Sequence, residues 1–354
     1  MRQQQQTDTP ERGVGFLPRI SKTAGRMGID WFLLGMLLMI LLAYLWPQLG
    51  LEDGPLAIGT ITDIGVSVIF LFYGLRLSPA KLKAGLSNWR LHLLVQLSTF
   101  ILFPVLVLVT MLIVGADSSD PVWLGTFYLA ALPSTVSSSV VMVSVAGGNI
   151  PAAIFNASIS SLMGVFITPL WMGLFLSGSS AADLDMQDVM LKLVLQVLAP
   201  VLVGIVLHSR FGNFAERHKT RIRYFDQIII LLIVYGSFCE SYARDLFGGF
   251  SMLYIMELGI AMVAFFFVVY GIITGIGRLL HLNREDNITA VFCGSKKSLV
   301  HGTVMSKVLF PDANIVGIIL LPIMLYHALQ LIVASIIAQA SARKAMAKQE
   351  VERV

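Results

Sequence analysis

Phe292-Cys293-Gly294-Ser295-Lys296-Lys297-Ser298-Leu299-Val300-His301 is the stretch that decides how this chain folds. Apolar sequence flanks it, 288–291 before and 304–310 after, so two adjacent lysines fall in the middle of a membrane-length segment. A lysine at the centre of a bilayer costs about 2.5–3.5 kcal/mol on insertion scales, and such residues face a cavity or a partner, not lipid. Gly294, Ser295 and Ser298 weaken a helix at the same point. The stretch reads as a membrane helix broken halfway, its middle lining a polar site.

The rest of the chain is read against that idea. Of 354 residues, 56% are hydrophobic and 13% charged, whereas a soluble domain carries about 25% charged residues. The composition indicates an all-α integral membrane protein with several spans. The net charge of +4 does not point to nucleic acid, because the basic residues sit in loops between apolar runs. Cys239 and Cys293 both lie in apolar stretches and make neither a disulfide framework nor a metal motif. No nucleophile–base pairing or phosphate-binding loop is visible, so neither an enzyme nor a bound cofactor is expected. Residues 1–29 are polar and basic, with no apolar core or cleavage site, and read as a cytoplasmic tail rather than a signal peptide.

In order, the apolar runs give ten spans of bilayer length: 30–46, 57–77, 91–114, 122–146, 152–176, 189–208, 224–242, 252–280, 288–310 and 315–338. Charge asymmetry orients them. The N-terminal tail, the loops 2–3, 6–7 and 8–9, and the segment after span ten together hold 20 of the 25 basic residues. The opposite loops are acidic, with Glu52, Asp53, Asp117, Asp120, Asp183, Asp185 and Asp188. The positive-inside rule places both termini in the cytoplasm, a parity that ten spans satisfy.

A weak internal repeat is visible. Span four contains Pro133-Ser134-Thr135-Val136-Ser137-Ser138-Ser139 and turns through Asn149-Ile150 into span five. Span nine contains 293–298 and turns through Asn314-Ile315 into span ten. The fourth span of each half is thus interrupted by small polar residues. Because five is odd, the halves enter from opposite sides, the inverted-topology repeat of many secondary transporters. Spans four and nine would cross near the midplane, where irregular backbone is tolerated only against protein or a watery cavity. Free carbonyls at one half-helix end attract cations, and free N–H groups at the other attract anions.

Each polar residue has a structural reading beside the functional one. Pro133 either breaks or merely kinks its helix. Ser134, Thr135, Ser137, Ser138 and Ser139 line a site or pack helices together. Asn156 and Ser160, four apart on one face, suit a hard cation or a neighbouring helix; Gln96 and Thr99 share that ambiguity. His301 lies four beyond Lys297, and His327 and Gln330 lie three apart, either as hydrogen-bonding structure or as proton carriers. Asp63, Asp226, Glu240 and Glu257 either pair locally near helix ends or serve the site. The Met residues and Phe265-Phe266-Phe267 read as packing.

The order of these features resembles the bile acid:sodium symporter superfamily, in its solute-carrier-10 member-seven-like branch, which includes bacterial sodium/bile-acid-type symporters. The residues carrying the likeness are Asp30-Trp31-Phe32, Phe72 to Leu75, Gln96 to Pro104, Pro133 to Ser139, Gly148-Asn149 with Asn156, Phe292 to Ser298, and Tyr326-His327 with Gln330. The resemblance implies ten helices with crossing broken helices 4 and 9. It implies a panel domain (30–80 and 186–245) and a core domain (88–178 and 251–340) between tails 1–29 and 341–354. It also implies alternating access, with a small organic anion and ions bound between the two. Gln96, Ser138, Ser139, Asn156, Ser160 and Ser295 would be sodium-binding oxygens. Thr135, Ser137, Lys296, Lys297, Ser298, His301 and His327 would meet the substrate or its charge. Location in a bacterial inner membrane follows from the same likeness; the oligomer is left open.

One departure matters. Better-known sodium-coupled members carry a carboxylate and a glutamine in the ninth-span break, whereas residues 293–298 here contain no acidic side chain. A fixed ammonium occupies the space and the charge of a bound sodium ion. Like charges repel, so the two lysines are expected to meet different partners unless one is neutral. Three readings follow: a sodium-coupled symporter of an organic anion, a lysine-substituted transporter that is proton-linked or uncoupled, and a membrane regulator that moves no solute. Panel residues such as Asp63, Tyr235 and Glu240 are expected to give the pocket its chemistry.

Overall fold

The computed structural model describes residues 31–51, 54–76, 88–177, 191, 194–243, 245, 251–310 and 313–353. The expected tail 1–29, the basic residues Lys81, Lys83, Lys192 and Arg244, and the acidic Glu52, Asp53, Asp183, Asp185 and Asp188 lie outside them. Among the described residues every regular element is helical. Seven helices are long and apolar enough to cross a membrane, and shorter apolar helices cover Leu34–Leu45 and Pro121–Ala131.

The chain begins with α1 (Trp31–Leu45) and α2 (Ile58–Arg76). α3 (Trp89–Leu97) is capped by the Asn88 side chain, which accepts from Leu91 N. It continues through a π-helical turn, Ser98–Leu102, into α4 (Phe103–Val114). Pro104 explains the turn. It lacks the N–H that Phe100 would receive in α register and Thr99 in π register. Both carbonyls are therefore freed toward other partners. α4 ends at Gly115 with φ +66°, a left-handed cap that glycine adopts without strain.

α5 (Pro121–Ala131) starts at Asp120, whose side chain accepts from Val122 N and Trp123 N. It stops before Leu132-Pro133, and α6 (Ser137–Ala146) starts after five non-helical positions, 132–136. α7 (Ile150–Ser177) follows. A second π turn, Val194–Leu198, leads into α8 (Ala199–Arg217), again with a proline, Pro200, just inside the helix. Then come α9 (Lys219–Ala243) and α10 (Met252–Leu279). α11 (Arg284–Gly294) breaks off at Ser295, and α12 (Leu299–Leu309) restarts with Ser298 as its cap. α13 (Ala313–Arg353) is a single 41-residue helix. It runs past the expected end of span ten at 338 and through the segment expected as a tail.

Two packing groups result. α1, α2, α8 and α9 pack together, and α2 meets α8 backbone to backbone. There a Cβ on Gly74 would strike the Val201 carbonyl oxygen and come within 2.9 Å of Gly204 Cα, so only glycine permits the approach. The other group gathers α5, α6, α10 and α12 against α13, with α11 packed on α3, α6, α7 and α10. A Cβ on Gly125 would meet the Ile319 carbonyl oxygen, which fixes how closely α5 lies on α13. Leu112, Ile113 and Val206 are apolar and exposed, as expected of faces turned to lipid.

Candidate functional site

The breaks in α5–α6 and α11–α12 touch each other. Ser298 N donates to Pro133 O at 2.9 Å, and Ser134 Oγ donates to Cys293 O. The carbonyls released at the end of α5 are accounted for one by one, as buried backbone requires. Leu129 O takes Leu132 N. Ala131 O takes Thr168 Oγ1 at 2.8 Å. Ala130 O and Leu132 O both take the Lys297 ammonium, at 2.7 and 2.8 Å.

The third hydrogen of Lys297 Nζ goes to Thr99 O at 2.6 Å, one of the two carbonyls that Pro104 frees. The other, Phe100 O, accepts from Trp171 Nε1 at 2.7 Å. The Lys297 nitrogen also sits 4.1 Å from the centre of the Phe103 ring. Three carbonyls and an aromatic face thus surround a buried ammonium whose three donors are all used. Its main chain is clamped as well: Lys297 N donates to Gln330 Oε1 at 2.9 Å, and Gln330 Nε2 donates to Lys297 O at 2.8 Å. Tyr326 Oη donates to Ser295 O and Tyr128 Oη to Gly302 O. Lys296 is treated differently: its Nζ is fully buried and, among the described residues, has no hydrogen-bond partner. The expectation that the two lysines meet different partners is not met for Lys296, which has none among the described residues.

The candidate sodium oxygens fall into two groups. Gln96 Nε2 donates to Asn156 O and Oδ1 at 3.2 and 3.3 Å, and Gln96 Oε1 is buried without a partner among the described residues. Ser160 Oγ, one turn after Asn156 on α7, accepts from Ser134 N of the α5–α6 break. Ser138 and Ser139 instead bond Thr135 Oγ1, at 2.9 and 2.8 Å. Ser295 Oγ is used locally, on Val291 O. Ser137 is the first residue of α6.

A cavity of about 350 Å³ lies between the two packing groups. On one wall are Thr135, Val136 and Ser138 at the start of α6, Ser298, Leu299 and Val300 at the start of α12, and His327 of α13. Two helix N-termini therefore open on one space, each with N–H groups that lack intrahelical partners. On the other wall are Phe32, Tyr73, Arg76, Arg223, Asp226 and Gln227. Two guanidinium groups, two positive dipole ends and the Asp226 carboxyl thus face one space. His301 Nδ1 bonds Ser298 Oγ at 3.0 Å, and the His301 ring lies 4.9 Å from that of Tyr73 across the groups.

Asp63, Tyr235 and Glu240 do not line this cavity; Tyr235 Oη is spent on Trp46 O at 2.9 Å. Sequence reasoning missed Arg76, Arg223 and Asp226 as a group. The spacing 223, 226, 227, 230 on one helix face was the available signal. It also missed Trp171 and Tyr128, whose role depends on which carbonyls the prolines free.

The family model described as the SBF-like CPA transporter family matches residues 30–343. The chain is similar to an uncharacterized protein of Pseudomonas aeruginosa, PA2026, with 39% identity over 315 residues, 89% of this chain and 93% of that one. It is also similar to sodium/bile acid cotransporter 7 of Xenopus tropicalis, with 31% identity over 330 residues, 92% of this chain and 93% of that one. Sodium/bile acid cotransporter 7 of Mus musculus is 29% identical over 314 residues, 87% of this chain and 91% of that one.

Proposed function

The chain belongs to the SBF-like CPA transporter family and is an integral, multi-pass membrane protein, and on that premise we propose that it carries a small organic anion by alternating access, with the Lys297 ammonium standing where a coupling cation would bind. The cage of Thr99, Ala130 and Leu132 carbonyls around Lys297 Nζ carries this reading. Carbonyls at half-helix ends are cation ligands in transporters of this architecture, and here the cation is part of the chain. The anion sits in the 350 Å³ cavity, met by the N-termini of α6 and α12, by Thr135, Ser138, Ser298 and His327, and by Arg76 and Arg223.

In this reading the protein has ten spans in two inverted repeats. α5–α6 and α11–α12 are the broken fourth and ninth spans. Residues 30–80 and 186–245 form the panel, and 88–178 with 251–340 form the core that moves against it. Both termini are cytoplasmic in a bacterial inner membrane, so the cavity, walled by Arg76 and Arg223, faces inward.

A second reading, sodium symport, is favoured by one observation: Gln96 Oε1 is buried without a partner beside Asn156 Oδ1. Those two oxygens, with Ser160, suit a hard cation. The relatives named as sodium/bile acid cotransporters point the same way. Uptake of labelled taurocholate and of benzoate into proteoliposomes separates the two. Equal uptake under sodium and potassium gradients supports the lysine reading, a sodium-driven rise supports symport, and no uptake of any anion in a wider panel refutes transport.

A further inference from the structure

Resting on the transport reading, we infer that Asp226 is a proton-binding site that links carboxyl protonation to the cavity's working cycle. Asp226 projects from α9 on the face that also presents Arg223, Gln227 and Ile230 to the cavity, a one-sided spacing of three, four and seven residues. It is 8% exposed, its Oδ1 has no hydrogen-bond partner, and among the described residues it makes no ion pair. A buried carboxyl group with an oxygen left unpaired is expensive for a membrane protein to hold. Ionisable residues kept in such places face a cavity and exchange protons or partners.

The surroundings fit a proton site better than a structural ion pair. α2 contributes Tyr73 and Arg76, and α9 itself contributes Arg223 one turn earlier. α13 contributes His327 on the far wall, and α12 contributes His301, whose ring is tilted against that of Tyr73 and whose Nε2 has no partner among the described residues. α6 offers the hydroxyls of Thr135 and Ser138, α1 only Phe32, and α8 no lining residue. The guanidinium groups favour the carboxylate and burial favours the acid, so the balance is set by whatever fills the cavity. An anion entering the cavity offsets the positive charge of the guanidinium groups that share its wall with Asp226, and so favours the acid. Substrate and proton then arrive together. The step is a simple proton transfer from water in the cavity to a carboxylate oxygen and back.

Infrared difference spectra of the purified full-length protein in lipid nanodiscs, taken between pH steps, test this without any substrate. A protonated-carboxyl C=O band is expected in the wild type, absent from Asp226→Asn and shifted in frequency in Asp226→Glu. Persistence of the band in Asp226→Asn, or no pH-dependent carboxyl signal in the wild type, overturns the assignment. In proteoliposomes, pH-gradient-driven taurocholate uptake is expected to fall at least ten-fold in Asp226→Asn. If no probe is transported, the transport reading fails while the infrared band still decides the proton site.

Discussion

Lys297→Met removes the ammonium and keeps most of the side chain's volume. Three carbonyls, of Thr99, Ala130 and Leu132, lose their donor in a dry interior. Each buried acceptor left unsatisfied costs about 1–3 kcal/mol, so the three together cost roughly 3–9 kcal/mol. Loss of the Phe103 contact adds about 1–2 kcal/mol. Removing a charge from the membrane interior returns about 3 kcal/mol. The net is a destabilisation of about 4 kcal/mol, a large share of the roughly 5–15 kcal/mol that holds a folded protein together. Thermal unfolding in detergent, followed by tryptophan fluorescence, reads it directly. The vacated cage is also a ready-made cation site. If sodium enters it at about a hundred times its dissociation constant, about 2.7 kcal/mol is regained. Unfolding of the variant is therefore expected to rise with sodium chloride over choline chloride, while the wild type ignores the exchange. A variant as stable as the wild type in both salts would refute the reasoning, because the carbonyls would then have had no need of the ammonium.

Other consequences are as direct. Gln330→Ala breaks both arms of the clamp on Lys297 and is expected to destabilise by about 2 kcal/mol, from two bonds worth about 1 kcal/mol each; Gln330→Glu, which cannot donate to Lys297 O, should show an intermediate melting temperature. Trp171→Phe leaves Phe100 O unpaired and should cost about 1–3 kcal/mol in the same unfolding assay. Arg223→Gln is expected to weaken binding of an anion probe about ten-fold, the loss of one charge-assisted contact; titration calorimetry checks it. Gly125→Ala forces α5 off the Ile319 backbone and should lower the yield of folded protein, read by gel filtration.

The lysine pair was legible because its expense in a bilayer leaves few explanations. The break in the helix followed from Gly294 and the serines beside it, and Pro133 proved to end α5 outright rather than bend it. What the pair bonds to was not legible. Lys297 meets backbone oxygens, and which oxygens are free depends on the π turn before Pro104 and on the stop before Pro133. Those are consequences of missing N–H groups, and they reach across 198 residues of sequence separation from Thr99 to Lys297. Side-chain patterning carries no record of such partners. The cavity's charged wall was hidden for another reason: Arg76, Arg223 and Asp226 sit near helix ends, where sequence alone makes a loop-side charge and a lining charge look alike. Asp63 and Glu240 shared that position without sharing the cavity.

Lys297 has one more consequence. An ion that comes and goes carries with it the difference in chemical potential between the two sides of a membrane. The nitrogen in this cage is joined to its own backbone by four methylenes, has no concentration on either side, and so brings no driving force of its own. A carrier built on such a fixed charge runs as far as its solute's own gradient takes it, and any uphill movement must draw on a second, exchangeable species.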